Sequence, residues 1–211
     1  MDRTLIVTDD LAATALGVFL GLAPRTVALS GGSTPEPVYE RLAGLPYPWE
    51  EVDFFFVDER CVPADHPDSN VGMAERALLS KVPARAHRID GAGCDAEAYD
   101  RRLRGFGDPP VLDLALLGLG EDGHVASLYP GDAALDVTGA YAVRVPEPGM
   151  PPAHPRVTMT MPVLSAARAS VFLVSGESKR EPLSRLLADD GIPAARVASE
   201  RVVVLATPDA T

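Results

Sequence analysis

The sequence predicts an α/β fold: a single Rossmann-like, three-layer domain over residues 1–211, with a mostly parallel sheet and helices on both faces. Three observations predict it. Short runs of β-branched and aromatic residues alternate along the chain with amphipathic stretches, as in strands joined by crossover helices. The central runs, residues 52–57 (VDFFFV) and 112–117, are almost continuously apolar, as strands buried on both faces are. Several of these runs stop at glycine-rich or charged turns, and open α/β sheets bind ligands beyond their strand ends.

Residues 4–8 form a short β-branched run and make the first strand. Asp9 or Asp10 can cap the helix that follows, which sets Leu11, Ala12, Ala15, Leu16, Phe19 and Leu20 on one face and ends at Pro24. Residues 26–29 make a buried strand, the turn Ser30-Gly31-Gly32-Ser33-Thr34-Pro35 follows, and a helix runs from about 35 to 43 with proline suited to its first position. The strand at 52–57 ends in Asp58-Glu59-Arg60. A loop then leads to a helix over 69–80, which Ser69 or Asn70 can cap. A strand at 85–89 and a helix at 95–103 precede the strand at 112–117. Further strands are expected at 141–145, 157–161, 170–174 and 202–205, with a helix at 179–188. The proline-rich tract 146–155 reads as a surface loop, because strand signals resume at once.

Composition narrows the function. Of 211 residues, 46% are hydrophobic and 23% charged, which suits one globular domain. The formal net charge is −11, from 19 basic and 30 acidic residues. That excludes a nucleic-acid surface, which needs a basic patch. An anionic ligand must therefore be caught by a local cluster of donors against the overall field. No apolar run approaches the ~20 residues that span a bilayer, and acids stand where a signal peptide needs a basic flank. A cytoplasmic protein with no membrane contact is expected. Cys61 and Cys94 form no disulfide framework or thiolate zinc site, and free thiols are expected of both.

Three turns have residue types that carry chemistry. In the first, Gly31, Gly32, Ser33 and Thr34 lie between a buried strand and a helix start, so backbone N–H groups there can cradle a phosphate or carboxylate. A simple hydroxyl cap by Ser33 or Thr34 is the other reading. The turn is neither a Walker A loop, which needs Lys followed by Ser or Thr, nor a nucleophile elbow, since Pro35 stands where glycine is required. In the second, Asp58, Glu59 and Arg60 lie at a ligand-facing strand end or form a solvated ion pair. Asp65-His66-Pro67-Asp68 nearby has metal-binding residue types but no second histidine at ligand spacing, so no metal is expected.

The third turn, 118–123, matches G-x-G-x-x-G in form. The dinucleotide fingerprint should open a helix and carry an acid about 20 residues on; here Pro130-Gly131 comes too soon and position 143 is Val. Nicotinamide and flavin binding are therefore not expected. His124 remains, the side chain suited to proton transfer near neutral pH, with Glu121 and Asp122 able to orient it. Arg156 opens the strand after the proline tract. Lys179, one of two lysines, sits at another strand-to-helix turn.

Five segments, SGGSTP (30–35), VDERCVPADHPDSN (57–70), LGLGEDGHVASLYPG (117–131), RVTMTMPVL (156–164) and VSGESK (174–179), stand in this order. In order and spacing the chain resembles the 6-phosphogluconolactonase family, itself similar to glucosamine-6-phosphate isomerase/deaminase enzymes. The resemblance implies hydrolysis of 6-phospho-D-glucono-1,5-lactone to 6-phosphogluconate, in the oxidative pentose phosphate pathway, without metal or cofactor. It implies His124 as the catalytic histidine, oriented by Asp122. Gly31, Gly32, Ser33 and Thr34, with Arg156 and Lys179, would hold the phosphate. Arg60 would stabilise developing charge or assist the phosphate, and Asp58 would shape the site. Val125 departs from the family pattern, where threonine is usual.

The rival within the resemblance is the aminosugar-phosphate isomerase/deaminase, whose pattern carries Glu five residues after the histidine and Tyr in place of Arg60. Here Tyr129 holds the fifth position, and a phenol cannot serve as a carboxylate at neutral pH. A non-catalytic sugar-phosphate-binding protein would keep the cradle and lose the proton-transfer residues, yet Arg60, Asp122 and His124 are all present. A serine esterase lacks its elbow, and a glycosidase would want two spaced carboxylates where Glu121 and Asp122 are adjacent. Monomer and homodimer both remain open on sequence.

Overall fold

The computed structural model describes residues 3–146 and 153–211. In chain order these form β1 (Arg3–Val7), α1 (Leu11–Leu22), β2 (Thr26–Leu29), α2 (Glu36–Leu42), β3 (Asp53–Phe56), β4 (Asp58–Arg60), α3 (Asn70–Ala77), β5 (Arg85–Ala86) and α4 (Ala96–Arg104). Then follow β6 (Leu114–Leu117), β7 (Ala142–Val145), β8 (Arg156–Met159), α5 (Met161–Ala166), β9 (Ala169–Val174), α6 (Arg180–Ala188) and β10 (Arg201–Ala206).

Seven strands make a parallel sheet in the order β1-β10-β9-β6-β2-β3-β5. From β2 the chain steps outward through β3 to β5, and from β6 it steps the other way through β9 to β10. The order thus reverses between β2 and β6, and ligands of such sheets bind in the crevice at that point. Every residue of β6 and β9 is buried, so the middle of the sheet is covered on both faces, as the apolar runs require. Expected caps form: Asp10 accepts from the Ala13 N–H at 3.0 Å, and Ser69 Oγ from the Gly72 N–H at 2.9 Å.

A three-stranded antiparallel sheet, β4-β8-β7, lies beside the large one and corrects one expectation. Residues 58–60 are not the tail of the preceding strand but part of this second sheet. Val57 is the junction: its N–H donates to Leu29 at 2.9 Å in the large sheet, and its carbonyl accepts from Met159 at 2.7 Å in the small one. The strand expected at 157–161 stops at Met159, because Pro162 starts α5, a helix the sequence reading passed over. No helix opens at 118–123, where a bridge between Val125 and Leu128 closes a turn instead.

The expected free thiols are also corrected. Cys61 and Cys94 are joined by a disulfide, with Cα atoms 5.0 Å apart and a sequence separation of 33. Gly91 makes this approach possible, since a β-carbon there would run into the Arg60 and Val62 carbonyls. The proline-rich tract expected as a surface loop lies mostly outside the described residues. No helix among the described residues is long and apolar enough to cross a membrane.

Candidate active site

The loops after β2, β6 and β9 and the inner face of the small sheet enclose a cavity of about 660 Å³, the size of a small-molecule site. Gly31, Gly32, Ser33, Thr34, Asp58, Arg60, His124, Arg156 and Lys179 all line it. Asp122 is set behind His124. Every site residue expected from sequence is therefore brought to one place, from five separated segments.

The 30–35 turn leaves β2 with the Ser30 carbonyl accepting from the buried Tyr39 hydroxyl at 2.8 Å. Neither Ser33 nor Thr34 caps α2, so the simple capping reading fails. With α2 only seven residues long, any attraction for an anion rests on nearby N–H groups more than on a helix dipole. Gly31 is required by a neighbour: a β-carbon there would overlap the Asn70 side-chain amide. That amide donates to the Asp58 carbonyl at 3.0 Å and to Asp58 Oδ1 at 3.2 Å, bolting the start of α3 onto β4.

The small sheet supplies the positive charge. Its register sets Arg60 opposite Arg156, and Asp58 opposite Thr158, on one face. Like charges directly opposite in a sheet repel. Asp58 partly offsets this, with Oδ2 3.9 Å from Arg156 Nη1. The buried Asp58 carboxylate also accepts from Ser127 Oγ at 2.6 Å, and Ala126 takes a left-handed φ of 52° to bring Ser127 there. The Arg60 guanidinium donates to the Asp68 carbonyl at 2.6 Å. Ser30 Oγ, Arg60 Nε and Asn70 Oδ1 are buried without a hydrogen-bond partner, a rare condition for protein polar atoms and one that suits a polar ligand. Lys179 completes the charge; its ammonium lies 4.0 Å from the exposed Glu121 carboxylate, a pairing worth little in water.

His124 lines the same cavity. Its Nδ1 is 2.6 Å from Asp122 Oδ1, and the same oxygen accepts the His124 backbone N–H at 3.0 Å. A carboxylate only accepts, so Nδ1 carries the proton and Nε2 keeps its lone pair. Gly120 makes room for the ring, because a β-carbon there would overlap the imidazole. Tyr129 packs on the ring with centroids 4.7 Å apart, and burial raises its hydroxyl pKa above the ordinary tyrosine value. Val125 is fully buried in the hydrophobic core, a setting that suits valine where threonine was expected.

Sequence reasoning missed Asn70, Ser127 and Glu59. Glu59 is buried and accepts from Ser69 Oγ at 2.8 Å, Asn70 N at 2.8 Å and Val71 N at 2.7 Å, so it anchors the start of α3. Burial raises its carboxyl pKa, against the pull of those donors.

Comparison with known proteins shows the chain's family. Residues 9–205 match the family model described as glucosamine-6-phosphate isomerases/6-phosphogluconolactonase. The chain is 39% identical over 208 residues to a 6-phosphogluconolactonase of Synechocystis, covering 92% of this chain and 85% of that one. It is 38% identical over 187 residues to a 6-phosphogluconolactonase of Rattus norvegicus, covering 81% and 72%. Among solved structures, 6-phosphogluconolactonase of Thermotoga maritima superposes with a TM-score of 0.88 at 30% identity, covering 98% of this chain and 99% of that one. A monomeric glucosamine-6-phosphate deaminase shares the fold, with a TM-score of 0.83 at 20% identity and coverage of 100% and 98%. The chain belongs to the glucosamine-6-phosphate isomerase/6-phosphogluconolactonase family.

Proposed function

We propose that the chain hydrolyses 6-phospho-D-glucono-1,5-lactone to 6-phospho-D-gluconate. The observation that carries this reading is a proton acceptor and an anion cradle in one cavity: His124, held 2.6 Å from Asp122, lines it together with the 31–34 turn, Arg60, Arg156 and Lys179. The substrate has the same two-ended character: a phosphate dianion at one end and a cyclic ester at the other. Backbone N–H groups and three cations suit the phosphate; a base suits the ester.

In the reaction, His124 Nε2 removes a proton from water as its oxygen attacks the C1 carbonyl. Asp122 holds the ring and offsets the charge of the imidazolium. The tetrahedral intermediate then collapses, the C1–O5 bond breaks, and the imidazolium returns its proton to the departing ring oxygen. Water has been added across the ester, and the new acid ionises to the carboxylate. Arg60 is placed to stabilise charge growing on the carbonyl oxygen or to contact the phosphate.

Deamination of an aminosugar phosphate is disfavoured by Tyr129. It lies against the His124 ring where that chemistry wants a carboxylate, and its raised hydroxyl pKa keeps it protonated. The test is His124→Ala: it should fold normally and lose nearly all acceleration over spontaneous lactone hydrolysis. Near-wild-type turnover would sink the assignment, and ammonia release from glucosamine 6-phosphate would favour the rival.

A further inference from the structure

Outside the cavity, two distant segments bring together metal-ligating side chains that the lactone chemistry does not use. His66 and Asp68 lie on the loop between β4 and α3, and His154 lies just before β8, 86 residues beyond Asp68. Asp68 Oδ2 is 3.0 Å from His154 Nε2 and 3.8 Å from His66 Nδ1. The three ligating atoms all lie within 4.8 Å of one another. From the sequence His66 lacked a second histidine; the fold supplies one.

We propose that His66, Asp68 and His154 form a site for a zinc-class divalent cation. Tetrahedral bonds of ~2.0–2.1 Å set neighbouring ligand atoms about 3.3 Å apart, and the two Asp68 separations straddle that value. Two imidazoles and one carboxylate select zinc, cobalt or nickel over calcium and magnesium, which want oxygen donors throughout. The side chains are 30–37% exposed, leaving water a coordination position and the ion a path in. The His66 and His154 rings stand nearly perpendicular, at 85° with centroids 5.4 Å apart, so small rotations converge their nitrogens without stacking. His66 Nδ1 already presents a lone pair inward, accepting the Asp68 N–H at 3.1 Å, and the ion takes that lone pair over. The protein's negative charge favours cation capture.

The ion would not join the hydrolysis, since none of the three residues lines the cavity. It acts on the cavity wall. Asp68 offers its carbonyl to Arg60, and Pro155, next to His154, accepts the Cys61 N–H at 2.8 Å. Bound metal therefore pins together the two segments that flank the Arg60–Arg156 rung.

The test uses untagged, chelator-treated full-length protein and zinc ion alone, by calorimetry and thermal melting. Wild type should bind one ion per chain and melt several degrees higher with it. His154→Gln and Asp68→Asn should bind more weakly by more than the ~10–100-fold that losing an outer-shell partner costs, and show no zinc-dependent rise in Tm. His124→Ala should bind as wild type does, which separates this site from the cavity. The proposal is overturned by no stoichiometric binding to wild type, by unchanged binding in His154→Gln, or by loss of binding in His124→Ala. None of these readouts needs the lactone, so failure here leaves the hydrolase reading untouched.

Discussion

Replacing Asp122 with asparagine isolates the contribution of one hydrogen bond to turnover. Asparagine keeps an oxygen to accept the His124 N–H now held at 3.0 Å, so the turn retains its shape. It loses the charge that faces the ring at 2.6 Å. In the flipped rotamer the NH2 takes that position instead, gives up the His124 N–H and donates to Nδ1, which favours the tautomer with its proton on Nε2 and leaves no lone pair toward the cavity. A hydrogen bond to a charged group is worth about 1.5–3 kcal/mol, and each 1.36 kcal/mol of barrier is tenfold in rate. Asp122 is 30% exposed, which places the electrostatic share at the lower end; the tautomer change adds to it. A fall in kcat of about 100-fold follows, within the ~10²–10⁴ that general base catalysis supplies. KM should stay close to wild type, because Asp122 does not line the cavity. The assay couples 6-phosphogluconate formation to its oxidation and subtracts spontaneous hydrolysis. Wild-type kcat in Asp122→Asn, or a loss carried wholly by KM, would refute the role given to the pair.

Three further outcomes are expected. Gly120→Ala should lower kcat by about 100-fold with the fold intact, because the new methyl displaces the imidazole and small misplacements of a catalytic group are costly; unchanged kcat shows the ring has room to spare. Cys61→Ser should lower stability to urea by about 3–4 kcal/mol, from a cross-link spanning 33 residues, and thiol titration of the unfolded, unreduced wild type should find none. Two thiols in that titration would remove the bond from the native protein. Glu59→Gln bears on pH. Burial raises the folded Glu59 pKa above 4.5, so its favourable contribution is whole below pH 4.5 and is lost as pH rises through the folded value. The stability of wild type relative to Glu59→Gln should therefore decline from pH 4.5 upward in urea melts, and a flat difference contradicts it.

What could be read from the sequence was local. The 30–35 turn, His124 and Lys179 follow the parallel strands β2, β6 and β9, whose ends share one edge; Asp58 and Arg60 reach the same cavity from the small antiparallel sheet instead. What escaped depends on register and long-range approach. Nothing near Arg60 says that Arg156 will stand opposite, because that pairing forms across antiparallel strands 96 positions apart. Ser127 reaches Asp58 only through the left-handed Ala126, and alanine carries no signal for such a turn. Cys61 and Cys94 gave no sign of pairing, since the decisive contact is the bare Cα of Gly91 on two carbonyls. For Asn70 the sequence offers only a capping role, shared with Ser69; Ser69 caps α3, and the Asn70 side chain donates to Asp58.

The arginine rung of the small sheet has a practical consequence. Two guanidinium groups held on facing strand positions make the native state more favourable whenever a divalent anion neutralises them, whatever that anion's origin. Inorganic phosphate and sulfate should then raise Tm by mass action and compete with the lactone for the same ground. Buffer choice is thus a kinetic variable for this protein: a KM measured in phosphate describes displacement of one anion by another.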